Sequence, residues 1–576
     1  TVQSYYDIYS FVIGIMTPDS EWNESVVYQL SDEQLQNIYT IYQDNMKKIR
    51  DSFGKRADKK YIYEEYENIS HGFFLQNMDE NNAVDDITWN DLNMDAVYKN
   101  MDSTASSLGQ EALYSMLRTP IVDAEELSER TRLMEYFAGH EKERTELAMI
   151  YSGFGYSRKM SVADYIESIG ECKKTSALPH FIMLILFAAA LVYCLTVNIA
   201  VGMWAVIGMA VINVVSYFKF KAEIETYFVC IKQVFSMCAC ANSILKMNCE
   251  AISEYTEELY RLFHEFDGVR RFSWIMATGK GGVLEFVLDY VRMITHLDII
   301  KFCFVVSGLN RKKDSVWALY NRLGYFDALI AAASYKKSLP YTCRPVFSDG
   351  KALVFEADEL YHPLIEEPVA NSIKTDSSVL ITGSNASGKS TFLRSAGICA
   401  ILSQTLNFAT ARAYRGRRFR IYSSMALKDN LLGNESYYMV EIKSLKRIMD
   451  AAGADSGYPV LCFIDEVLRG TNTVERIAAS SQILKGLACM NAVCFAATHD
   501  IELTTILEKF YYNYHFTEEI TDNDVKFSYK LLTGRATSRN AIKLLGLLGY
   551  DKAILEQAAQ AAKSFEESGS WSSVSS

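Results

Sequence analysis

The sequence predicts a helical N-terminal part followed by a C-terminal α/β domain that is built on a mostly parallel sheet. Three observations support this fold class. Between about residues 341 and 550, apolar strands alternate with helical segments, which is typical of a parallel sheet covered by helices. One of these strands leads into a glycine-bracketed loop at 383–391. Upstream, residues 86–335 carry apolar residues at helical spacing over long stretches.

Length and composition exclude several classes of protein. With 576 residues the chain is too long for a single core, and 49% hydrophobic residues predict a globular rather than a disordered chain. The 12 cysteines lack the paired spacing of a zinc or redox site, which favours buried free thiols in a reducing compartment.

The net charge of −12 gives no overall attraction to nucleic acid, so contact with DNA would need a local basic patch. The densest basic run contains Arg412, Arg415, Arg417, Arg418 and Arg420. It can touch a phosphate backbone, but a solvated strand edge in the α/β domain is the preferred interpretation.

The glycine-bracketed loop is the most specific motif. The phosphate-binding pattern G-x-x-x-x-G-K-[ST] and the residue after it are matched by Gly383, Ser384, Asn385, Ala386, Ser387, Gly388, Lys389, Ser390 and Thr391, all of which we predict to bind a nucleotide. The two glycines let the backbone turn so that successive N–H groups point at an anion, and the helix that follows adds the positive end of its dipole. Lys389 is predicted to contact the β- and γ-phosphates, and the Ser390 hydroxyl to ligate Mg²⁺.

Two further apolar strands end in polar side chains. The strand before Asp465 and Glu466 predicts a second Mg²⁺ ligand, Asp465, and a general base, Glu466, that orients and deprotonates the attacking water. The strand 492–498 ends at His499, which is predicted to sense the γ-phosphate. Lys389, Glu466 and His499 are therefore the predicted catalytic residues.

Two adjacent runs without charged residues interrupt the helical part. Residues 179–197 contain no charge apart from the one that His180 can carry, and 199–218 contain none. Each run is close to the about 20 residues that a helix needs to cross a bilayer. Only Asn198 separates them, so they predict a tight hairpin of two transmembrane helices. The alternative is a pair of helices buried in a soluble core.

Lysines flank this hairpin on its outer sides only. Lys173 and Lys174 precede it, and Lys219 and Lys221 follow it. By the positive-inside rule, this distribution predicts a protein of the cytoplasmic membrane with both ends of the hairpin, and hence the α/β domain, in the cytoplasm. A shorter apolar run at 299–309 carries a lysine and is predicted to be core.

The predicted domain boundaries follow from these patterns. Residues 1–85 are polar, helical and rich in tyrosine, and they predict no function. A helical domain over 86–335 contains the hairpin at 179–218, and the α/β domain covers 340–560. The serine-rich tail, 561–576, is predicted to be disordered.

Four segments of the α/β domain resemble the ATPase motifs of the MutS mismatch-repair family, in the order and at the spacing of that family: 383–391, 434–441, 465–473 and 497–504. In the second, Ser436, Tyr437, Tyr438 and Glu441 occupy the family pattern S-T-F-x-x-E. The third matches D-E-x-x-R-G-T-x-T at every fixed position. The resemblance is specific over about 340–560 and weaker over 86–335.

The resemblance implies an α/β P-loop ATPase of the ABC type, preceded by an all-α core and lever domain. Such an ATPase uses ATP and Mg²⁺ and works as a homodimer, with Ser436 of one protomer reaching the γ-phosphate held by Lys389 of the partner subunit. Closing this sandwich would move the helical levers. Double-stranded DNA, with or without a mismatch, is the partner that the resemblance implies.

Three departures from the family pattern leave an alternative open. Residues 1–85 lack the Phe-x-Glu pattern of the mismatch-reading domain, the hairpin interrupts the lever region, and the chain is shorter than a full repair protein. The alternative is a membrane-tethered mechanical ATPase that acts on a protein or lipid partner without binding DNA. Half of an ABC transporter fits poorly, because only two spans are visible and no L-S-G-G-Q signature precedes Asp465.

Overall fold

A computed structural model of the chain describes residues 32–76, 83–121, 123–172, 176–247, 249–271, 290–348, 350, 352–384, 387–425, 437–454, 457–469, 471–521, 524–536, 545 and 549–568. They form two compact units. The helical unit comprises the described residues of 1–79, 101–115 and 132–338. The α/β unit comprises those of 80–100, 116–131 and 339–576, so it also takes in two short segments from far upstream of the phosphate loop.

The helical unit contains helices throughout its described length. In chain order they are α1 (Asp32–Ser52), α2 (Tyr63–Gln76), most of α5 (Ser107–Arg118), the second half of α6 (Ala124–Gly139), α7 (Glu141–Phe154), α8 (Val162–Glu171), α9 (Leu178–Thr196), α10 (Ile199–Lys246), α11 (Ser253–Glu265), α12 (Asp267–Arg270), α13 (Leu297–Arg311) and α14 (Lys313–Ser338). The apolar run 299–309 lies in α13 with most of its apolar side chains buried, as predicted.

The predicted hairpin is formed by α9 and the first half of α10. Asn198 forms the turn, and its side chain accepts a hydrogen bond from Val201 N–H (3.1 Å), which caps α10. The helices approach closely at Gly202, where a Cβ would lie 2.3 Å from the Cα of Cys194. Only 6% and 11% of the most apolar windows of the two helices are buried. This exposure does not fit the alternative of two buried core helices.

Buried carboxylates join the helices of the helical unit. Asp327 of α14 accepts hydrogen bonds from Ala105 N–H (3.0 Å), Ser106 N–H (3.0 Å) and the Ser106 hydroxyl (2.6 Å), just before α5 begins. Glu111 of α5 accepts from Val162 N–H (2.6 Å) at the start of α8 and from the Tyr320 hydroxyl (2.7 Å) of α14. Burial raises the pKa of Glu111 to about 7 and that of Asp327 to about 6.

The α/β unit contains two sheets. The strands are β1 (Val346–Phe347), β2 (Phe355–Leu360), β3 (Asn371–Thr375), β4 (Ser378–Thr382), β5 (Ala413–Gly416), β6 (Arg420–Ser424), β7 (Val460–Asp465), β8 (Ala492–Thr498), β9 (Tyr511–Thr521) and β10 (Asp524–Thr533). A four-stranded sheet has the order β1-β5-β2-β3, and a six-stranded sheet has the order β10-β9-β4-β8-β7-β6. All neighbours in the larger sheet are parallel except β10, which is antiparallel to β9.

The larger sheet is covered by helices because its central strands are apolar on both faces. Every residue of β4 and β8 is buried. The helices of this unit are α3 (Asp86–Asp91), α4 (Met94–Met101), α15 (Lys389–Leu406), α16 (Tyr437–Gly453), α17 (Thr473–Ala488), α18 (Glu502–Ile506) and α19 (Lys552–Ser568). One face of the sheet packs with α16 and α17 in a single apolar cluster that includes Leu380, Ile464, Ala496, Ile448 and Leu484.

The prediction that 561–576 is disordered is wrong over residues 561–568. Helix α19 extends to Ser568, because the segment from Lys552 is rich in alanine, glutamine, glutamate and lysine, which are good helix formers. The rest of the predicted tail, 569–576, lies outside the described residues.

Replacing Asp327 with alanine should destabilise the helical unit. The change leaves two buried N–H groups and one hydroxyl without their acceptor, so we expect a loss of about 3–5 kcal/mol in the free energy of unfolding. Urea unfolding of the full chain in detergent, with the loss of helical structure as the signal, measures this loss. The control is Asp314→Ala, an exposed position on the same helix, with an expected change within about 0.5 kcal/mol. Equal losses in the two variants would contradict the role of Asp327.

Candidate nucleotide-binding site

Three parallel strands bring the predicted site residues to one edge of the six-stranded sheet. In the sheet register, Thr382 of β4 lies beside Thr498 of β8, and Asp465 of β7 lies beside Ala497 of β8. The residues that follow these strands therefore meet at their carboxyl ends. The backbone is locked there by a hydrogen bond from Glu466 N–H to the Ala497 carbonyl (2.9 Å).

The phosphate loop turns sharply between β4 and α15. Gly383 and Gly388 have φ values of 152° and 109°, which side chains disfavour. A Cβ at Gly383 would lie 2.8 Å from the Ser387 hydroxyl and 3.0 Å from the Phe516 carbonyl. The Ser384 hydroxyl donates to Glu518 (2.7 Å). Asn385 and Ala386 lie outside the described residues.

Two polar groups of the loop are available for an anion. The Ser387 hydroxyl is buried and has no hydrogen-bond partner among the described residues, although it lines the cleft. Lys389, at the start of α15, donates to the carbonyls of Gly383 and Ser384 (both 2.8 Å). Burial lowers the pKa of Lys389, while the nearby carboxylates, Asp465 first among them, oppose this shift. These groups fit a bound phosphate.

The predicted magnesium ligands are in contact. The Ser390 hydroxyl forms a short hydrogen bond with Asp465, and both residues line the cleft together with Thr391. No group of three or more His, Cys, Asp or Glu side chains with metal-site geometry occurs among the described residues. This donor set fits Mg²⁺, which usually takes one or two protein oxygens and completes its shell with water and substrate phosphates.

The predicted general base lies in a network of charges. Arg469 makes a bidentate ion pair with Glu466, in which one hydrogen bond measures 2.6 Å. His499 Nε2 lies 3.1 Å from Glu466 Oε1 and 3.2 Å from Lys389 Nζ. His499 Nε2 can donate a hydrogen bond to Glu466 when it carries a proton, and it can accept one from Lys389 when it does not.

Glu466 is ionised at neutral pH. Burial alone would raise the pKa of Glu466, but the hydrogen bonds from His499 and Arg469, together with their charges, lower it to about 2. The position of His499 is stabilised indirectly by the next residue, Asp500, which makes a bidentate ion pair with Arg476 of α17 (2.9 and 2.6 Å).

Aromatic and aliphatic side chains line part of the cleft. The cleft has a volume of about 530 Å³, and its lining includes His362, Ile365, Phe516 and Tyr529 together with the acidic Glu367. Phe516 and Tyr529 lie beside the phosphate loop, since a Cβ at Gly388 would lie 3.3 Å from the Tyr529 ring and 3.8 Å from the Phe516 ring. Burial, together with the nearby Arg394, lowers the pKa of His362 to about 4, so its ring is neutral at pH 7. Aromatic and aliphatic surfaces of this kind suit a flat base.

Tyr529 lines the cleft from an irregular part of β10. The pairing of β10 with β9 shifts register between Phe527 and Leu531, which is a bulge. Asn371 of β3 stabilises the bulge, since it donates to the Tyr529 carbonyl (3.0 Å) and accepts from Leu531 N–H (2.8 Å).

The structure thus brings together Lys389, Ser390, Asp465, Glu466 and His499. Ser436 lies outside the described residues, so its predicted contact with a second nucleotide stays a prediction.

Sequence reasoning did not assign roles to Arg469, His362, Phe516 and Tyr529. Arg469 had a signal, because it is the fixed arginine of D-E-x-x-R-G-T-x-T. The other three had none, since each reaches the cleft from a separate strand or loop.

The arginine run does not form one basic patch. Arg412 pairs with Glu359 (2.6 Å), and Arg420 is buried at the start of β6, where it donates to the Ala451 carbonyl. Arg415 is exposed on β5. These arginines have different surroundings. The structure therefore agrees better with the preferred interpretation, positions along a strand edge, than with a phosphate-binding surface.

Comparison with known proteins identifies a family model that matches the α/β unit and relatives of part of the chain. The family model described as MutS domain V matches residues 379–566. DNA mismatch repair protein MutS 2 from Haloarcula marismortui is 27% identical over 287 residues, which cover 44% of this chain and 29% of that protein. DNA mismatch repair proteins MutS from Protochlamydia amoebophila and Aquifex pyrophilus are each 30% identical over 261 and 263 residues, or 42% and 43% of this chain. The chain matches 29–30% of the length of these relatives.

Proposed function

We propose that this chain, which matches MutS domain V over residues 379–566, is a dimeric, Mg²⁺-dependent ATPase whose hydrolysis cycle moves its helical unit. Members of this family are ATPases that act as dimers on DNA. The observation that carries the proposal is the meeting of Lys389, Ser390, Asp465, Glu466 and His499 at one end of a single cleft.

Each of these residues has a role that its surroundings support. The phosphate loop and Lys389 would bind the phosphates of ATP, in place of the carbonyls that Lys389 now contacts. Ser390 and Asp465 would hold Mg²⁺, which neutralises phosphate charge when bound. The ionised Glu466 would orient the attacking water and accept its proton. His499 would donate a hydrogen bond to the γ-phosphate.

The aromatic and aliphatic part of the cleft lining would accept the adenine base. The neutral ring of His362, with Phe516 and Tyr529, provides surfaces on which a base can stack. The second protomer would complete the site with Ser436, as the resemblance implies.

The exposed hairpin supports a membrane location. The surface of a soluble protein rarely exposes a continuous apolar area as large as this hairpin. The most apolar windows of its two helices are only 6% and 11% buried. Helix α9 has 19 residues, or about 28 Å at 1.5 Å per residue, which matches the hydrocarbon core of a bilayer. We therefore place α9 and the first half of α10 in the cytoplasmic membrane, with the ATPase in the cytoplasm.

Two candidates remain for what the helical unit acts on. Family membership favours double-stranded DNA. The hairpin favours a protein or lipid partner in the membrane. Binding of duplexes with and without a mismatch, measured at several salt concentrations, separates the two, because absence of binding at low salt excludes DNA.

Replacing Glu466 with glutamine should stop hydrolysis while ATP binding persists. Loss of a general base lowers turnover by roughly 10²–10⁴-fold. Phosphate release measures turnover, and size-exclusion chromatography with Mg-ATP measures dimer formation, which the trapped variant should favour. Lys389→Ala should abolish both binding and turnover, whereas the exposed Lys552→Ala should change neither. Turnover at the wild-type rate in Glu466→Gln, or a chain that never pairs with ATP present, would contradict the proposal.

Shortening the hairpin should release the protein from membranes. The bases of the two helices are close together, since Ser216 Oγ lies 3.5 Å from Met183 Sδ. Replacing 184–212 with a short Gly-Ser linker therefore removes the apolar arms and keeps the base. Flotation on a density gradient after a high-salt wash, which removes proteins held only at the membrane surface, should then find the wild type with membranes and the variant in the soluble fraction, with ATPase activity retained. Salt-resistant membrane association of the shortened protein, equal to that of the wild type, would contradict the hairpin assignment.

A further inference from the structure

The base of the hairpin is joined to the segment 290–311 by buried polar groups. His180 Nδ1 of α9 lies 2.9 Å from His296 Nδ1, and His296 Nε2 lies 2.8 Å from the carbonyl of Asn213 on α10. The Asn213 amide donates to the Ile294 carbonyl (2.7 Å). All three of these side chains are buried. The segment 290–311 is therefore held against the hairpin at the level where the helices leave the predicted membrane.

The outer face of this segment is apolar and continues the surface of the hairpin. Val291, Leu297 and Phe304 are 43%, 40% and 48% exposed. Leu297 and Phe304 are seven residues apart on α13 and so lie on one face of the helix. The Phe304 ring contacts that of Phe181 on α9, with centroids 6.2 Å apart.

Cations accompany this apolar face. Lys301 lies between Leu297 and Phe304 along α13 and is within electrostatic range of Arg292 and Asp298. Asp298 accepts a hydrogen bond from Tyr217 (2.7 Å) on α10, which places it on the hairpin side. The sequence adds Lys219 and Lys221 where α10 leaves the predicted span. An apolar face bordered by lysine and arginine is the pattern of an element that lies in the interface of an anionic bilayer.

We propose that Val291, Leu297, Lys301 and Phe304 form an interfacial collar that lies in the headgroup region of the same bilayer, with Arg292 and Lys301 on anionic phospholipid headgroups. This inference rests on the proposed membrane hairpin. The collar would extend the membrane contact beyond the two transmembrane helices. It would also fix the helical unit against the bilayer surface, because the collar and the base of the hairpin pack together.

Photo-crosslinking in vesicles tests the collar. The full chain is reconstituted in phosphatidylglycerol vesicles with benzoylphenylalanine at one position at a time: Phe304 for the collar, Ile207 for the hairpin, and Val474 on α17 as an exposed apolar control. Lipid adducts are expected at 207 and 304 and not at 474. Adducts at 207 without adducts at 304 would overturn the collar and leave the hairpin standing, whereas none at 207 would overturn the hairpin itself.

A separate experiment tests the contact of Arg292 and Lys301 with anionic headgroups. Arg292→Gln with Lys301→Gln should lower the adduct yield at 304 several-fold in phosphatidylglycerol, since each cation near an anionic surface contributes roughly fivefold to binding. In vesicles of phosphatidylcholine alone, the double variant should match the unsubstituted chain. Equal yields with and without these two cations in phosphatidylglycerol would overturn the assignment of anionic headgroups.

A second inference concerns Glu441, a residue of α16 that is 3% exposed. Its carboxylate accepts hydrogen bonds from Leu468 N–H and from Arg469 N–H (3.2 Å). These two N–H groups belong to the loop that carries Glu466. In the same loop, Glu466 and Leu468 have φ values of 61° and 60°, which are unfavourable for residues other than glycine. An external acceptor for successive N–H groups is what holds such a loop in place.

We propose that Glu441 is a positioning residue for Glu466, which fixes the loop so that the general base faces the cleft. This inference rests on the proposed ATPase activity. Helix α16 begins at Tyr437, directly after Ser436 in the sequence. Helix α16 therefore relates two sites. It holds the loop of Glu466 in its own protomer, and it directly follows Ser436, which is predicted to contact the nucleotide bound by the partner subunit.

Kinetics of Glu441 variants test this role. Glu441→Ala should lower kcat by about tenfold or more, while KM for ATP changes less than twofold, since a charged hydrogen bond that orients the base is lost and the phosphate loop is not touched. Glu441→Gln keeps one acceptor and should retain more activity than alanine.

The control for these variants is Glu556→Gln, an exposed position on α19, which should leave kcat unchanged. An unchanged kcat in Glu441→Ala, or a change in KM alone, would overturn the role of Glu441. Absence of turnover in the wild type would instead overturn the proposed function.

Discussion

The parallel register of β4, β8 and β7 is the constraint on which the candidate site depends. Because neighbouring strands run in the same direction and end at the same level, Gly383, His499 and Glu466 leave the sheet side by side. Each strand is buried on both faces, so a slip of one residue would move every side chain into the packing positions of the opposite face and displace the site residues together. The chemistry of the cleft is therefore tied to the burial of the core beneath it.

Charges within the cleft compensate one another. Lys389 is close to three carboxylates, and Glu466 is paired with Arg469 and His499. A phosphate that enters the loop would compete with backbone carbonyls for Lys389, and a water that approaches Glu466 would share that carboxylate with a guanidinium. In the proposed ATPase cycle, binding and hydrolysis would rearrange a few ion pairs, which is how a small ligand can bias a two-state element.

The helical unit has a different kind of order. Its buried carboxylates, Asp327 and Glu111, accept hydrogen bonds from the starts of other helices and so fix how the helices meet. The hairpin, in contrast, has few contacts outside its base, where His180, Asn213 and His296 meet. The base of the hairpin is thus held by buried polar contacts, while the apolar windows above it are exposed.

The sequence by itself determined the fold class, the order of the ATPase motifs, the hairpin and five of the residues that meet in the cleft. These features are local: a glycine-bracketed loop, apolar strands that end in polar residues, and charge-free runs each have a signature within a few residues. Only the tertiary structure decided that Arg469 pairs with Glu466 and that Glu441 holds the same loop. It also decided that segments 80–100 and 116–131 join the α/β unit, where Asp91 accepts from the Ser423 hydroxyl (2.7 Å). Apart from the Arg469–Glu466 pair, which spans three residues, these contacts join residues far apart in the chain, and their partners are selected by packing and burial, which no local pattern encodes.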